Sequence, residues 1–187
     1  AILSETQSRK LNVELAELAL ARLGARAFHI VMPTPRNRHA VPVRSTGASE
    51  AIGRLGPVVT ALQQAGFVVD CTVEGLMHAV ETPEILKAGA RILNISNEHP
   101  EALERMVPDL ALEKRVRAAA KMLRGAKRMK VTSKAGSDLD VDMVGASTVG
   151  VWGWTDRPGT LAHWPGGIIV SFPKKGTING TLVMAPG

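Results

Sequence analysis

Five histidines, one cysteine and a run of alternating aspartates are the residues of this chain whose types could do chemistry. They are His29, His39, His78, His99 and His163, then Cys71, then Asp138, Asp140 and Asp142. A zinc or iron centre wants three or four convergent N, S or O donors, often closely spaced on one element. The histidines do not offer that spacing: no H-x-H, H-x-x-H or H-E-x-x-H occurs, and Cys71 has no C-x-x-C partner. No G-x-S-x-G elbow presents a serine nucleophile. Cys71 lies in the apolar run "FVVDCTV", where burial keeps a thiol inert. Spacing alone reveals no catalytic machine.

Each residue also has an ordinary structural use. His99 precedes Pro100 at a predicted helix start, which suits capping or simple exposure. His29 sits in an apolar strand, as a hydrogen-bonded core histidine would. His39 lies in a loop with Arg36, Arg38 and Arg44, either solvated or a weak anion site. The three aspartates alternate along a strand and so share one face, which is a solvated face or a loose divalent-cation site. Two histidines stand out. His78 follows a predicted strand within "FVVDCTVEGLMH", and open α/β sheets bind ligands beyond the carboxyl ends of their strands. His163 adjoins Trp164 and the turn Pro165-Gly166-Gly167, a combination that can make a rigid aromatic wall with a polar group beside it.

The segments that must position these residues alternate between helix and strand patterns. "SETQSRKLNVELAELALARLG" reads as an opening helix, with Ser4 as N-cap, apolar Leu11, Leu15, Leu18, Ala19, Ala21 and Leu23, and Gly24 as C-cap. "RAFHIVMP", "FVVDCTV" and "ARILNIS" read as buried strands, because runs apolar on both faces belong to covered parallel sheets. Helices are expected around "ASEAIGRLGPVVTALQQAG", broken near Gly56-Pro57, and around "ETPEILKAG", "HPEALERMV" and "LALEKRVRAAAKMLRGA". Strand and helix in alternation imply βαβ units. The expected fold class is α/β, three-layered, with a mostly parallel sheet flanked by helices and followed by a small β-rich extension. No G-x-G-x-x-G or Walker lysine motif supports a nucleotide site.

The pattern changes near Lys127. "RMKVTSKAGSDLDVDMVG" reads as a hairpin turning at Gly136. "WGWTDRPGTLAHWPGG" reads as irregular, and "IIVSFP" and "GTLVM" as strands with "KKGTING" turning between them. The expected division is residues 1–127 as the α/β domain and 128–187 as a β-rich segment leading into a C-terminal metal-binding domain.

The net charge is +6, part of it a stripe of Lys114, Arg117, Lys121, Arg124 and Arg128 along one predicted helix. That stripe is a solvated face or a basic binding module for an anionic surface. It carries no interleaved aromatics for base stacking, so no nucleic-acid partner is expected. No apolar run reaches the roughly 18 residues of a membrane span. The first residues, "AILSETQSRK", lack the order of a signal peptide, and with a lone cysteine the expectation is a reducing cytoplasm.

Read in order, "ETQS", "RILNIS", "PEALERMVPD", "VTSKAGSDLDVDM", "GWTDRPGTLAHWPGG" and "GTLVM" resemble the N-terminal portion of the 2,5-dihydroxypyridine 5,6-dioxygenase family, with "DRPG…HWPGG" the most specific run. That family is related in fold to the M29, aminopeptidase T-like, metallopeptidases, whose N-terminal domain is the alternative reading. The resemblance implies a ring-opening enzyme acting on a small hydroxylated aromatic and O₂, self-associating, with one Fe(II) held by two histidines and a carboxylate outside this chain. It implies that the family's pocket histidine before the "WP" turn matches His163, and that a Leu-His pair matches Met77-His78. His163 would then exchange a proton with a ring hydroxyl, His78 would hold the ring nitrogen or an oxygenated intermediate, and Trp164 would stack on the ring. A glutamate expected just before the aromatic-Gly-aromatic run falls at Val151, ahead of Trp152-Gly153-Trp154.

Overall fold

The computed structural model describes residues 1–36 and 47–184 of the chain. Along them run β1 (Ile2–Glu5), α1 (Lys10–Arg22), β2 (His29–Met32), α2 (Gly56–Gln63), β3 (Phe67–Asp70), α3 (Thr82–Lys87), β4 (Arg91–Asn94) and α4 (Pro100–Arg105). Then follow α5 (Leu110–Gly125), β5 (Arg128–Thr132), β6 (Asp138–Asp142), β7 (Ser147–Val151), β8 (Leu161–His163), β9 (Ile168–Phe172) and β10 (Ile178–Thr181). The expected α/β architecture is present.

Five parallel strands form one sheet in the order β2-β1-β3-β4-β8. Successive residues of a strand face opposite sides, and both sides are covered. Leu3, Val68 and Ile92 pack with Leu62 of α2 and Ile85 of α3. Ile2, Val69, Cys71 and Ile95 pack with Ala16 of α1 and Leu103 of α4. Helices on each face of one sheet make three layers.

Several expectations about this sheet are corrected. The described chain opens on a strand, not a helix: Ile2–Glu5 is the second strand of the sheet, and Ser4 lies within it rather than capping α1. Four residues, two of them polar, are too few to show a strand period. The N-cap of α1 is Arg9, and the helix buries Asn12 and Ala16, one turn apart. Leu11, Leu15 and Leu18 are about half exposed, so the leucine stripe faces away from the sheet. β2 is an edge strand, largely exposed, and not a buried one. The "irregular" stretch contains β8, which joins the sheet beside β4; three residues between Pro/Gly turns carry no period either.

Contacts divide the chain into two compact units that are not sequential: residues 1–108 with 153–166, and residues 109–152 with 167–187. β8 thus belongs with the parallel sheet and α5 with the later strands, on other sides of the division than a boundary at residue 127 would give them. Trp154 and Trp164 fall in the first unit and Trp152 in the second.

In the second unit β5 and β6 form the expected antiparallel hairpin, with Gly136 in its turn at φ +102°. The last two strands do not turn back on each other: β9 pairs with β7, and β10 pairs with β6. Ile178, Asn179 and Gly180 of "KKGTING" are strand, and "GTLVM" leaves the ladder after Thr181. α5 is capped by Asp109, which accepts from the Leu112 N–H at 2.6 Å. Three arginines of the basic stripe are committed inside this unit, and Arg128, expected on the helix, lies on β5 beyond the end of α5 and pairs with Asp140. Arg117 lies 4.2 Å over the Trp152 ring and pairs with Glu113, and Arg124 donates to the Thr148 carbonyl.

Candidate active site at the carboxyl ends of the parallel strands

Four strands of the parallel sheet end on a polar side chain: β1 on Glu5, β3 on Asp70, β4 on Asn94 and β8 on His163. Asp70 is in register with Asn94, and Asn94 with His163, so the three form one row on one face of the sheet. Leu3 is in register with Asp70, which places Glu5 on that same face one step further out. Asp70 and Asn94 are fully buried, Glu5 nearly so, and His163 half-buried.

Asp70 is spent on the loop that follows it. Its Oδ1 accepts the Thr72 N–H at 2.9 Å and the Thr72 hydroxyl at 2.7 Å, and its Oδ2 accepts the Leu76 N–H at 2.7 Å. Burial pushes its carboxyl up from the ordinary 3.8 to about 6; the Thr72 and Leu76 hydrogen bonds oppose this, and nearby Glu5 adds to it. Glu5 Oε1 accepts from the Ser49 hydroxyl at 3.0 Å and the Val73 N–H at 3.3 Å. Its pKa also stands above the usual carboxylate range, through burial first, against hydrogen bonds from Ser49, Thr34 and Val73. Burial, and then Asp70, push the Cys71 thiol up to about 12, which keeps it a neutral core group.

A folded value above the unfolded one means that protonation favours the fold. The stabilisation from Asp70 is complete below about pH 3.8 and is lost as pH rises through about 6, an effect on the order of 3 kcal/mol. Urea unfolding should therefore show a higher midpoint at pH 5 than at pH 7.5. A midpoint that rises steadily over that interval would contradict a buried, proton-binding Asp70.

The loop held by these acids carries Met77 and His78. Gly75 adopts φ +82°, and a Cβ there would stand 2.5 Å from Ser96 Oγ, so the loop closes on Ser96 with glycine only. The Ser49 N–H donates to the Gly75 carbonyl and the Gly47 N–H to the Glu74 carbonyl, while the His78 N–H donates back to the Gly47 carbonyl. Met77 is half-buried and His78 exposed beyond the carboxyl end of β3, where the sequence places it.

His163 is held differently. Its Nδ1 is 2.9 Å from the Pro165 carbonyl oxygen. A carbonyl only accepts, so Nδ1 carries the hydrogen and, in the neutral ring, Nε2 presents the lone pair. Glu98 Oε1 stands 3.8 Å from Nε2, too far for a hydrogen bond but near enough to stabilise a positive ring. Trp164 packs against the cluster of Ile2, Ala16, Val69, Cys71, Ile95 and Leu103, and its indole N–H donates to the Met106 carbonyl at 2.9 Å.

The other candidates are structural. His29 lies 2.7 Å from Ser4 Oγ through Nε2 and 3.5 Å from Glu17 through Nδ1, at the sheet edge and not in the core. His99 is the exposed N-cap position of α4. His39, Arg38 and Arg44 lie outside the described residues. Asp138 pairs with Lys130 and Asp140 with Arg128, whose hydrogen bond holds the Asp140 carboxyl below its usual range. Asp142 accepts from the Val144 N–H. Among the described residues no group of three or more His, Cys, Asp or Glu side chains could hold a metal ion.

Glu5, Asp70, Asn94 and Glu98 are absent from the candidates read off the sequence. A signal was there: "ILSE", "FVVD" and "RILN" each put a polar residue at the end of an apolar run. Asn94 is the least expected, because both ends of its buried amide lack a hydrogen-bond partner. Val151, where the resemblance expects a carboxylate, ends β7 opposite Ile168 in the second unit.

All 187 residues match the model of the 2,5-dihydroxypyridine 5,6-dioxygenase family. The chain is 35% identical, over its whole length, to the 2,5-dihydroxypyridine 5,6-dioxygenase of Pseudomonas putida, of which it covers 53%. It is also similar to a solved structure of the 2,5-dihydroxypyridine dioxygenase from that organism, with a TM-score of 0.87 and 33% identity over 97% of this chain and 52% of the other. The chain thus spans about half the length of the curated relative it matches.

Proposed function

The chain belongs to the 2,5-dihydroxypyridine 5,6-dioxygenase family, and from that premise we propose that it forms the α/β half of an enzyme that opens a hydroxylated pyridine ring with O₂. The observation that carries the reading is His163 at the carboxyl end of β8, with Nδ1 committed to a carbonyl and Nε2 left with its lone pair. Such a ring is poised to take a proton from a ring hydroxyl, and Glu98 would stabilise the imidazolium that results. Met77 and His78, beyond the end of β3, would line the same substrate's pocket. Trp164 serves this site as wall, since its N–H is already used by Met106.

A ferrous centre does not fit the residues present. Asp70 has both oxygens occupied by N–H and O–H donors, His163 has Nδ1 committed, and no convergent donor set exists among the described residues. We place the iron ligands outside these 187 residues and assign no step of this chain to the metal. Val151, in place of a carboxylate, leaves the substrate as 2,5-dihydroxypyridine or a similar hydroxylated N-heteroaromatic. The exposed leucine stripe of α1 supports self-association, and the reading is of a cytoplasmic enzyme.

Oxygen uptake by the full-length enzyme on 2,5-dihydroxypyridine tests the proposal. Uptake matched to loss of the ring chromophore, abolished by a ferrous chelator and restored by Fe(II), is the expected result. No uptake with any dihydroxypyridine, together with release of amino acids from peptides, would replace this reading with a peptidase.

A further inference from the structure

Between β3 and α3 the chain makes a loop that carries no regular structure, yet its backbone is held at almost every step from below. Thr72 and Leu76 donate three hydrogen bonds to Asp70. Val73 donates to Glu5, and Gly75 donates to the Thr72 hydroxyl. A second tier, residues 47–49, is tied to the same loop through Glu74, Gly75 and His78. Ser49 in turn donates to Glu5. The Thr72, Leu76, Val73 and Ser49 ties end on a buried carboxylate at a strand terminus, and the next residues out are Met77 and His78.

We propose that Asp70, seconded by Glu5, is a positioning residue that fixes the 72–76 loop and thereby sets Met77 and His78 against the bound ring. This rests on the reading of the site given above. A carboxylate in a fully buried position costs the fold more than a neutral group of the same shape would. Its retention at the root of a substrate loop accords with strain kept for function. Geometry explains why a neutral group does not serve. Asp70 accepts on both oxygens, whereas an asparagine can turn its oxygen to Thr72 or to Leu76 but always presents its NH₂ to the other. The charged and titratable groups facing Asp70 are Glu5 from β1 and the neutral Cys71 thiol beside it. The thiol does not titrate in the working range, so acid protonation of the pair releases the loop.

The experiment is Asp70→Asn in the full-length enzyme, with Ile85→Val as a core variant outside the site. Expected for Asp70→Asn are a thermal midpoint at pH 7.5 equal to or above wild type, a KM raised about tenfold or more, and a smaller fall in kcat. Wild-type KM should rise as pH falls through about 6, and the variant should lose that dependence. Ile85→Val should lower the midpoint and leave KM alone. Amide exchange separates this inference from the functional reading. If the Leu76 and His78 N–H groups stay as protected in Asp70→Asn as in wild type, the positioning role is wrong whatever the substrate. If they loosen but wild type opens no pyridine ring, the role stands and the reading of the substrate falls. Should the variant not fold, the wild-type protection factor of the Leu76 N–H between pH 5 and 8 decides: an unchanged factor overturns the proposal, and a factor that falls below pH 6 supports it.

Discussion

Replacing His163 with alanine in the full-length enzyme is expected to lower kcat/KM for 2,5-dihydroxypyridine by roughly two to four orders of magnitude, the usual worth of a positioned acid–base group. The imidazole is held by the Pro165 carbonyl on one nitrogen and faces Glu98 on the other, so little reorganisation precedes proton transfer. Its loss should fall mainly on kcat if the proton moves in the rate-determining step. Glu98→Gln should give a smaller loss, because it removes only the charge that stabilises the imidazolium. Unchanged turnover and affinity in His163→Ala would remove the assignment. Stability should be little altered, since the ring is half-buried and contributes to neither packed cluster.

Ile92→Ala should destabilise the fold by about 2–5 kcal/mol, a large part of the roughly 5–15 kcal/mol available to a domain of this kind. Ile92 is 0% exposed and sits in β4, between β3 and β8, packed with Leu3, Val68 and Leu62. Removing three carbons there leaves a cavity under the strand that separates Asp70 from His163. Denaturant unfolding checks the magnitude, and Ile92→Val should cost only about 0.5–1.5 kcal/mol. A loss in the alanine variant below 1 kcal/mol would mean that β4 is not the centre of the core. Because the two neighbouring strands carry Asp70 and His163 of the proposed site, activity of Ile92→Ala should fall at temperatures well below its unfolding midpoint.

The elements with enough residues to show a period were legible before the structure. α5 spans 16 residues, and its apolar face, with Val116 and Ala120 buried, matches the helical spacing. β3 and β4 announce themselves as apolar runs because a strand covered on both faces has no polar side to alternate. The hairpin of β5 and β6 is readable from Gly136 and from aspartates alternating with Leu139 and Val141. The short strands were not readable. β1 and β8 hold four and three residues, too few for periodicity, yet they carry Glu5 and His163. α1 misled in another way. Its leucines outline an apolar face, but Asn12 and Ala16 are small enough to approach the sheet, and Asn12 donates to the Glu98 carbonyl.

Of the candidate site proposed above, His78 and His163 were singled out by type and neighbourhood, and the resemblance suggested the kind of chemistry. The acids beneath them were not. An aspartate at the end of "FVVD" has the same letters whether it meets solvent or three N–H and O–H donors.

What the amino-acid order alone determined is the alternation of apolar runs and amphipathic helices, and with it a covered parallel sheet, the arrangement in which crossover helices bury both faces of such strands. It also determined that no convergent set of metal donors sits on one element. The tertiary structure decided which strand ends stand side by side. Register across β3, β4 and β8 brings Asp70, Asn94 and His163 into one row from positions 24 and 69 residues apart along the chain. That register is set by packing and ladder hydrogen bonds between segments distant in sequence, which no local pattern encodes.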